Sequence, residues 1–326
     1  ANQGWRLMMI MGTAPALLTF FIRLFVPESH RWQQERAHGA TSGWATRDLL
    51  AVLVGVLGPA VTIYLWAAGE TVLTPELTIP HSLPLRIAGT LLGLAIALIG
   101  YTYPVVRYFQ RLETGTAAAS GPSSQTVRRM ILAACLSGVA LLGTWGSTQW
   151  TPAWAHQLTG GQFHAKEYTQ IWLAVGAIVG TILAALAGDW LGRRPAYCLL
   201  CLTSLASVWL LFQGNTEYGA AFLPTSFLAG LCTASFYGWL PLYLPELFTT
   251  RVRATGQGFG FNFGRILAAV GTLQTGTMMT LPDQEFFGRT WKGGYPLACT
   301  VVSLIYLAGL AIIWLAPETR GKPLPE

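Results

Sequence analysis

Charged side chains are scarce in this chain. They make up 10% of its 326 residues, against roughly a quarter in a soluble domain, whereas hydrophobic residues make up 52%. A soluble fold of this length needs more charge to cover its surface. A membrane protein does not, because most of its outer surface faces lipid. The composition therefore predicts a membrane protein.

Signatures of catalysis and of metal binding are also missing. The sequence has no HExxH, GxSxG or Walker-type loop, and the Cys198/Cys201 pair is joined by neither a second such pair nor paired histidines. We interpret all five cysteines as small core residues, and we expect no cofactor, no metal site and no enzyme activity. The net charge of +6 comes from Lys and Arg in short groups between apolar runs, which argues against nucleic-acid binding.

Nine apolar segments are long enough to cross a bilayer, which takes about 20 residues of helix. The weakest are the second, which contains Pro59, and the sixth, which is short. We therefore predict an all-α, polytopic membrane fold. The segments are 7–26, 48–68, 84–106, 129–154, 168–187, 196–213, 220–244, 258–280 and 295–316.

Arginines recur in alternate connections between these segments. By the positive-inside rule, the Arg-rich side is cytoplasmic. Residues 113–127 are small and polar and are interrupted by Gly and Pro, so we predict a flexible cytoplasmic linker, with an ordered surface loop as the alternative. The arginine groups are Arg23/Arg31/Arg36, Arg107/Arg111/Arg128/Arg129, Arg193/Arg194, Arg251/Arg253 and Arg320.

A short motif occurs near both ends of the chain, as Pro27-Glu28-Ser29-His30-Arg31 and as Pro317-Glu318-Thr319-Arg320-Gly321. In each copy a proline ends an apolar helix and a basic residue anchors it at the interface. The two copies resemble the ends of the two six-helix halves of the major facilitator superfamily. The likeness is strongest to its sugar-porter and organic-acid/proton symporter branches.

Two further strings carry the same resemblance. Ala185–Arg194 resembles the family's Gly-x-x-x-Asp-Arg-x-Gly-Arg-Arg loop, although Ala185 and Trp190 depart from it, and Pro245–Gly258 resembles the connection between helices ten and eleven of proton-coupled metabolite carriers. The resemblance implies a cytoplasmic gate with charge pairs Asp189/Arg193 and Glu246/Arg251; a solvated charged loop is the alternative. The expected gate residues are Asp189, Gly192, Arg193, Arg194, Glu246, Arg251 and Arg253.

The resemblance also implies how the chain is organised. Residues 1–32 would be helix six, the last of the N-terminal half, and residues 129–326 would be the C-terminal half. Residues 33–128 would be the central cytoplasmic region with an extra helix pair, 48–68 and 84–106, and the linker. Helices one to five would then be missing before residue 1.

Candidate substrate residues lie on predicted helices seven, ten and eleven. Asn262 and Arg265 share one face of segment 258–280, and a charge at that depth should face a partner or a water-filled cavity. An interfacial Arg held in the gate is the alternative. Core packing explains the aromatic candidates equally well. The expected substrate-binding set is Trp145, Gln149, Tyr237, Trp239, Asn262 and Arg265.

Together these patterns predict a multi-pass transporter of the cell membrane that moves a sugar or an organic acid by alternating access. Proton coupling is expected, but no Asp or Glu lies deep in an apolar segment, so the titrating carboxylate would lie in the missing half. The alternative is a transporter-like sensor that binds solute without moving it. Such sensors usually append a soluble domain, and the tail after Glu318 is too short for one.

Overall fold

The computed structural model describes residues 4–27, 30–37, 46–68, 70–74, 77–113, 124–250, 252–286 and 288–325. The chain divides into two compact units, residues 1–42 and 43–326. The first unit contains α1 (Gly4–Phe25) and α2 (His30–Ala37). The second contains α3 (Thr46–Ala67), α4 (Leu83–Glu113), α5 (Ser124–Gly146), α6 (Thr151–Thr159), α7 (Ala165–Leu191), α8 (Arg193–Gly214), α9 (Phe222–Ala234), α10 (Phe236–Tyr243), α11 (Arg253–Met278), α12 (Tyr295–Ser303) and α13 (Ile305–Ile312).

Eight helical segments of the described chain are long and apolar enough to cross a membrane. They correspond to eight of the nine predicted segments, and the all-α polytopic fold class is confirmed. The ninth prediction, 258–280, falls on α11, which has the length of a membrane span at 26 residues. Asn262, Arg265 and Gln274 make α11 the most polar of the predicted spans.

Three predicted membrane helices are each interrupted. The segment predicted at 129–154 is divided into α5, a 3₁₀ turn at Thr148–Trp150 and α6. The segment at 220–244 breaks between α9 and α10 at Ser235, and the segment at 295–316 breaks between α12 and α13 at Leu304. Hydropathy does not reveal these breaks, because the apolar run continues through each of them.

Two antiparallel β-hairpins lie in loops for which no strand was predicted. Strands β1 (Glu70–Thr74) and β2 (Leu77–Pro80) connect α3 to α4, and β3 (Gln284–Phe286) and β4 (Arg289–Trp291) connect α11 to α12. Their registers pair Glu70 with Pro80 and Gln284 with Trp291. The linker prediction is wrong at both ends, since α4 includes residue 113 and α5 begins at 124; residues 114–123 lie outside the described residues.

Glycines allow the helices of the second unit to pack backbone against backbone. At Gly176 and Gly180 of α7, an added Cβ would overlap the backbone carbonyl oxygens of Phe227 and Leu231 on α9. A methyl group at either position must push the two helices apart. The α7–α9 contact therefore depends on the absence of a side chain.

We expect Gly180→Ala to destabilise the protein by about 1–3 kcal/mol, because overpacking a close contact shifts the backbone. Gly276→Ala, on α11, is the matched control, since nothing lies within 4 Å of an added Cβ there. Thermal unfolding in detergent measures both. A Gly180→Ala midpoint equal to that of the control would contradict the α7–α9 packing.

Candidate functional site

A cluster of charged side chains joins four segments of the second unit; we call Asp189, Arg193, Glu246 and Glu318 the gate cluster. Arg193 begins α8 and is only 5% exposed. Its Nε and Nη2 donate to the two carboxylate oxygens of Glu246 at 2.8 and 2.6 Å, and its Nη1 donates to Asp189 Oδ1 at 2.8 Å. The pair with Glu246 is the stronger one, because it is bidentate and buried whereas Asp189 is 65% exposed.

Glu318 closes the cluster from the C-terminal segment. Its carboxylate oxygens accept the backbone N–H groups of Arg193 and Arg194, each at 2.9 Å. These N–H groups belong to the first residues of α8, where a helix has unpaired donors and a positive dipole end. Gly192 makes the preceding turn with a φ of 97°, which a side chain would strain. The Pro-Glu-Thr motif therefore caps a helix, in addition to ending one.

Because Glu318 caps α8 as a carboxylate, we expect the stability of the protein to depend on pH. Burial alone would raise the pKa of Glu318, but four backbone hydrogen bonds outweigh it and lower the pKa. Because the pKa of Glu318 is lower in the folded than in the unfolded protein, the cap stabilises the fold at pH values above the unfolded-state pKa, about 4.3. This stabilisation is lost as the pH falls through the folded-state pKa. We expect Glu318→Gln to lower the unfolding midpoint at neutral pH and to match the parent in acid. A difference that persists in acid would contradict this assignment.

The structure brings five of the expected gate residues together: Asp189, Gly192, Arg193, Arg194 and Glu246. The cation that pairs with Glu246 here is Arg193, and the expected partner Arg251 lies outside the described residues. Arg253 donates to the carbonyl oxygens of Pro245, Phe248 and Pro325, so it ties the start of α11 to the C-terminal tail. A gating role for these contacts stays a prediction.

A second site is a cavity of about 930 Å³, which we call the central cavity. Aromatic and aliphatic side chains make up most of its lining, with one cationic residue among them, a combination typical of small-molecule sites. The lining comes from α3, α5, the adjacent 3₁₀ turn, α10 and α11. It consists of Ile63, Leu141, Trp145, Trp150, Tyr237, Arg265, Ala268, Ala269, Thr272 and Gly276.

Arg265 supplies the charge of the central cavity. It lies 12 residues into the 26-residue α11, roughly 18 Å along a helix of about 39 Å. That position is near the middle of α11, and Arg265 lines the central cavity, so its place in the fold agrees with the cavity interpretation. The guanidinium lies over the Phe261 ring at 4.9 Å, and no carboxylate among the described residues pairs with it.

Trp145 and Tyr237 form the polar edge of the central cavity. The indole Nε1 of Trp145, on α5, donates to the hydroxyl of Tyr237, on α10, at 2.9 Å. Both residues also line an adjoining cavity of about 250 Å³, together with Gln149 and Gln170. Trp145 and Tyr237 line both cavities, whereas Gln149 lines the smaller one and Arg265 the central one; a role of these four residues in substrate binding stays a prediction.

Two members of the expected substrate set lie elsewhere. Trp239 has no exposed surface and packs against Tyr197 and Tyr243 with ring centroids 4.7 Å away, so its assignment to substrate is corrected to a core role. Asn262 lines a different cavity, about 540 Å³, between α11 and the α3–α4 pair. Its amide donates to Gly258 O at 2.8 Å.

Sequence reasoning missed Ile63 altogether, because nothing in the pattern of α3 shows which face meets α11. Trp150, in the 3₁₀ turn after α5, also lines the central cavity. Within the described ranges, no group of three or more His, Cys, Asp or Glu could hold a metal ion. All five cysteines are free thiols.

Comparison with known proteins agrees with this architecture. Residues 1–48 and 82–321 match the family model described as "Sugar (and other) transporter". The match omits residues 49–81, which cover most of α3 and the first β-hairpin. It includes α4, which the sequence resemblance had placed outside the family.

Individual relatives are named as transporters. The chain is 27% identical over 268 residues to a "Probable 4-methylmuconolactone transporter" of Cupriavidus pinatubonensis, covering 78% of the chain and 59% of that protein. It is 24% identical over 306 residues to a "Cis,cis-muconate transport protein" of Acinetobacter baylyi, covering 94% and 57%. "Solute carrier family 22 member 6" of Mus musculus is 31% identical over 138 residues, 42% of the chain and 23% of that protein. The chain thus spans little more than half the length of the two bacterial relatives.

Proposed function

Since this chain belongs to the sugar (and other) transporter family of the major facilitator superfamily, we propose that it moves a small organic acid across the plasma membrane. The family consists of transporters rather than enzymes, and the eight apolar helices belong to a multi-pass membrane protein. The observation that carries the choice of substrate is Arg265, a cation near the middle of α11 that lines an otherwise largely apolar cavity.

The chemistry of the cavity favours an acid over a sugar. A guanidinium only donates hydrogen bonds, in a planar arrangement that matches a carboxylate. A sugar would need several donors and acceptors around its ring. Leu141, Ala268 and Ala269 offer none from their side chains, and the Trp145 indole already donates to the Tyr237 hydroxyl at 2.9 Å. The relatives named for cis,cis-muconate and 4-methylmuconolactone support the same choice.

We propose alternating access as the mechanism and the gate cluster as its cytoplasmic latch. Arg193 ties α8 to Glu246, and Glu318 ties the C-terminal segment to α8, so these contacts hold three segments at one end of the helix bundle. In this proposal, loosening these contacts would free the cytoplasmic end of the C-terminal half to move. In the proposed organisation, α1 is the last helix of an N-terminal half and residues 129–326 are the C-terminal half.

We also propose that protons drive uptake. The carboxylates near the described membrane helices lie at helix ends, as in Asp48 in the first turn of α3 and Asp189 in the last turn of α7. This placement suits gating better than proton transfer at mid-membrane. The titrating group is therefore expected outside residues 46–325.

Uptake into proteoliposomes tests the proposal. Labelled cis,cis-muconate, benzoate and glucose are compared with and without an inward proton gradient. We expect uptake of an acid, not of glucose, and faster uptake with the gradient. Glucose uptake alone would overturn the substrate class. Binding of an acid without uptake would instead support the sensor alternative. Uptake that does not depend on the gradient would overturn proton coupling and leave the rest of the proposal in place.

A further inference from the structure

We propose that α3 forms one wall of the substrate site, and that Ile63 limits the size of the substrate's apolar body. This inference rests on the proposed transport of an organic acid. It concerns a segment, residues 49–81, that the family match passes over. The selectivity it describes would belong to this chain and not to the family as a whole.

The placement of Ile63 is the first observation. Its side chain is 51% exposed, and that exposed surface lines the central cavity together with Arg265, Trp145 and Tyr237. The other lining residues come from α5, α10, α11 and the 3₁₀ turn after α5. Among the described residues that line this cavity, Ile63 is therefore the contribution of the α3–α4 pair.

The position of α3 is held by close contact with α4. An added Cβ at Gly58 would overlap the backbone carbonyl oxygen of Gly93, and one at Gly100 would lie against the backbone of Gly55. Near the loop end of the pair, Trp66 Nε1 donates to Thr90 Oγ1 at 3.0 Å. Contacts at three levels along the pair leave little room for α3 to slide or rotate against α4.

The pair is in turn seated on α11. Val52 of α3 and Tyr101 and Val105 of α4 face Phe259 and Phe263 of α11 across the 540 Å³ cavity. Val105 is 4% exposed, so this part of α4 is packed against protein. α11 also carries Arg265. The helix that supplies the charge is therefore also the helix against which α3 is positioned.

In this arrangement, two residues would recognise two different parts of the substrate. A carboxylate would meet Arg265, and the hydrocarbon part of the substrate would extend towards Ile63. The β-branched side chain of isoleucine has few rotamers, so Ile63 would set a fixed limit on the size of the substrate's hydrocarbon part. In an apolar pocket, one methylene more or less changes selectivity by roughly 10–200-fold, so removing most of this side chain should admit larger acids.

The uptake test compares labelled benzoate with the larger 2-naphthoate. We expect Ile63→Ala to raise the naphthoate-to-benzoate uptake ratio by at least about tenfold, and Ile63→Trp to lower it. The matched control is Val61, an exposed apolar residue two positions earlier that lines none of the cavities described above. It points roughly 160° away around the helix, so Val61→Ala and Val61→Trp should leave the ratio unchanged.

A labelling test keeps the proposal falsifiable if the tryptophan variant folds poorly. Ile63→Cys and Val61→Cys are made with Cys135 and Cys198, the two thiols that are not buried, replaced by serine. A membrane-permeable maleimide should label the cysteine at position 63, and benzoate should slow that labelling; the labelling rate at position 61, whether fast or slow, should not change with benzoate.

The outcomes separate the two proposals. If the parent chain neither binds nor takes up any acid, the proposed function fails and this inference fails with it. If the parent takes up acids but the Ile63 variants keep the parent ratio and Ile63→Cys is not protected, only the α3 wall is overturned. Protection of both cysteines would also overturn it, because a general closure of the protein would then explain the result.

Discussion

Replacing Arg265 by glutamine is expected to reduce uptake of organic acids at low substrate concentration by at least about 30-fold. Arg265 is exposed in this structure, and in the proposed complex the substrate carboxylate would pair with it and bury it. Removing one partner of a buried charge pair costs about 2–5 kcal/mol, and each 1.4 kcal/mol corresponds to a factor of ten. Glutamine retains hydrogen-bond donors but loses the charge and the bidentate geometry. Initial rates of benzoate and cis,cis-muconate uptake measure the effect.

Two controls identify the cause of the Arg265 effect. Arg128→Gln removes the same charge from an exposed residue in the first turns of α5, which lines none of the cavities described above, and should leave uptake unchanged. Arg265→Lys keeps the charge and should retain part of the activity. Full uptake by a well-expressed Arg265→Gln protein would show that Arg265 is not the carboxylate site.

Replacing Arg193 by glutamine is expected to have the largest effect on stability. The change leaves the Glu246 carboxylate, only 12% exposed, without its cation, although Thr319 Oγ1 still donates to it at 2.6 Å. Breaking a buried ion pair from one side costs about 3–5 kcal/mol. For a chain of this size that corresponds to a fall of roughly 10 °C in the unfolding midpoint, measured by thermal unfolding in detergent.

Asp189→Asn is the matched control for Arg193. It removes the second carboxylate that binds Arg193, but this one is 65% exposed, and exposed ion pairs contribute about 0–1 kcal/mol. We therefore expect a small loss of stability for Asp189→Asn and a large one for Arg193→Gln. Equal losses would contradict the view that the buried pair with Glu246 holds the cluster together.

The membrane helices and the gate cluster were predictable for different reasons. Length and hydropathy are summed over some twenty residues, so single polar positions do not hide a span. The string that holds Asp189 and Arg193 resembles a loop of the family, and that resemblance implied the pair, which lies within four residues of one another in the sequence. The partner of Glu246 could not be placed this way, because Arg193 is 53 residues away in the sequence.

The errors have physical causes as well. Trp239 and Tyr237 are two residues apart on one short helix, and periodicity cannot tell which of them faces the core. The answer is set by Tyr197 and Tyr243, which enclose Trp239. The breaks at Ser235 and Leu304 are not marked by any change in hydropathy. The two β-hairpins are local, since their paired residues are at most ten positions apart, but they are too short to stand out from the loops around them.

By itself the sequence determined that this protein is a polytopic helical bundle and where eight of its long apolar helices lie, because solvent preference acts within one stretch of chain. Only the tertiary structure decided that Glu318 caps α8, that Arg193 pairs with Glu246, and that Ile63 shares a cavity with Arg265. Each of these is a contact between segments far apart in the sequence. Such contacts depend on how helices pack against one another, and helix packing is a property of the whole fold.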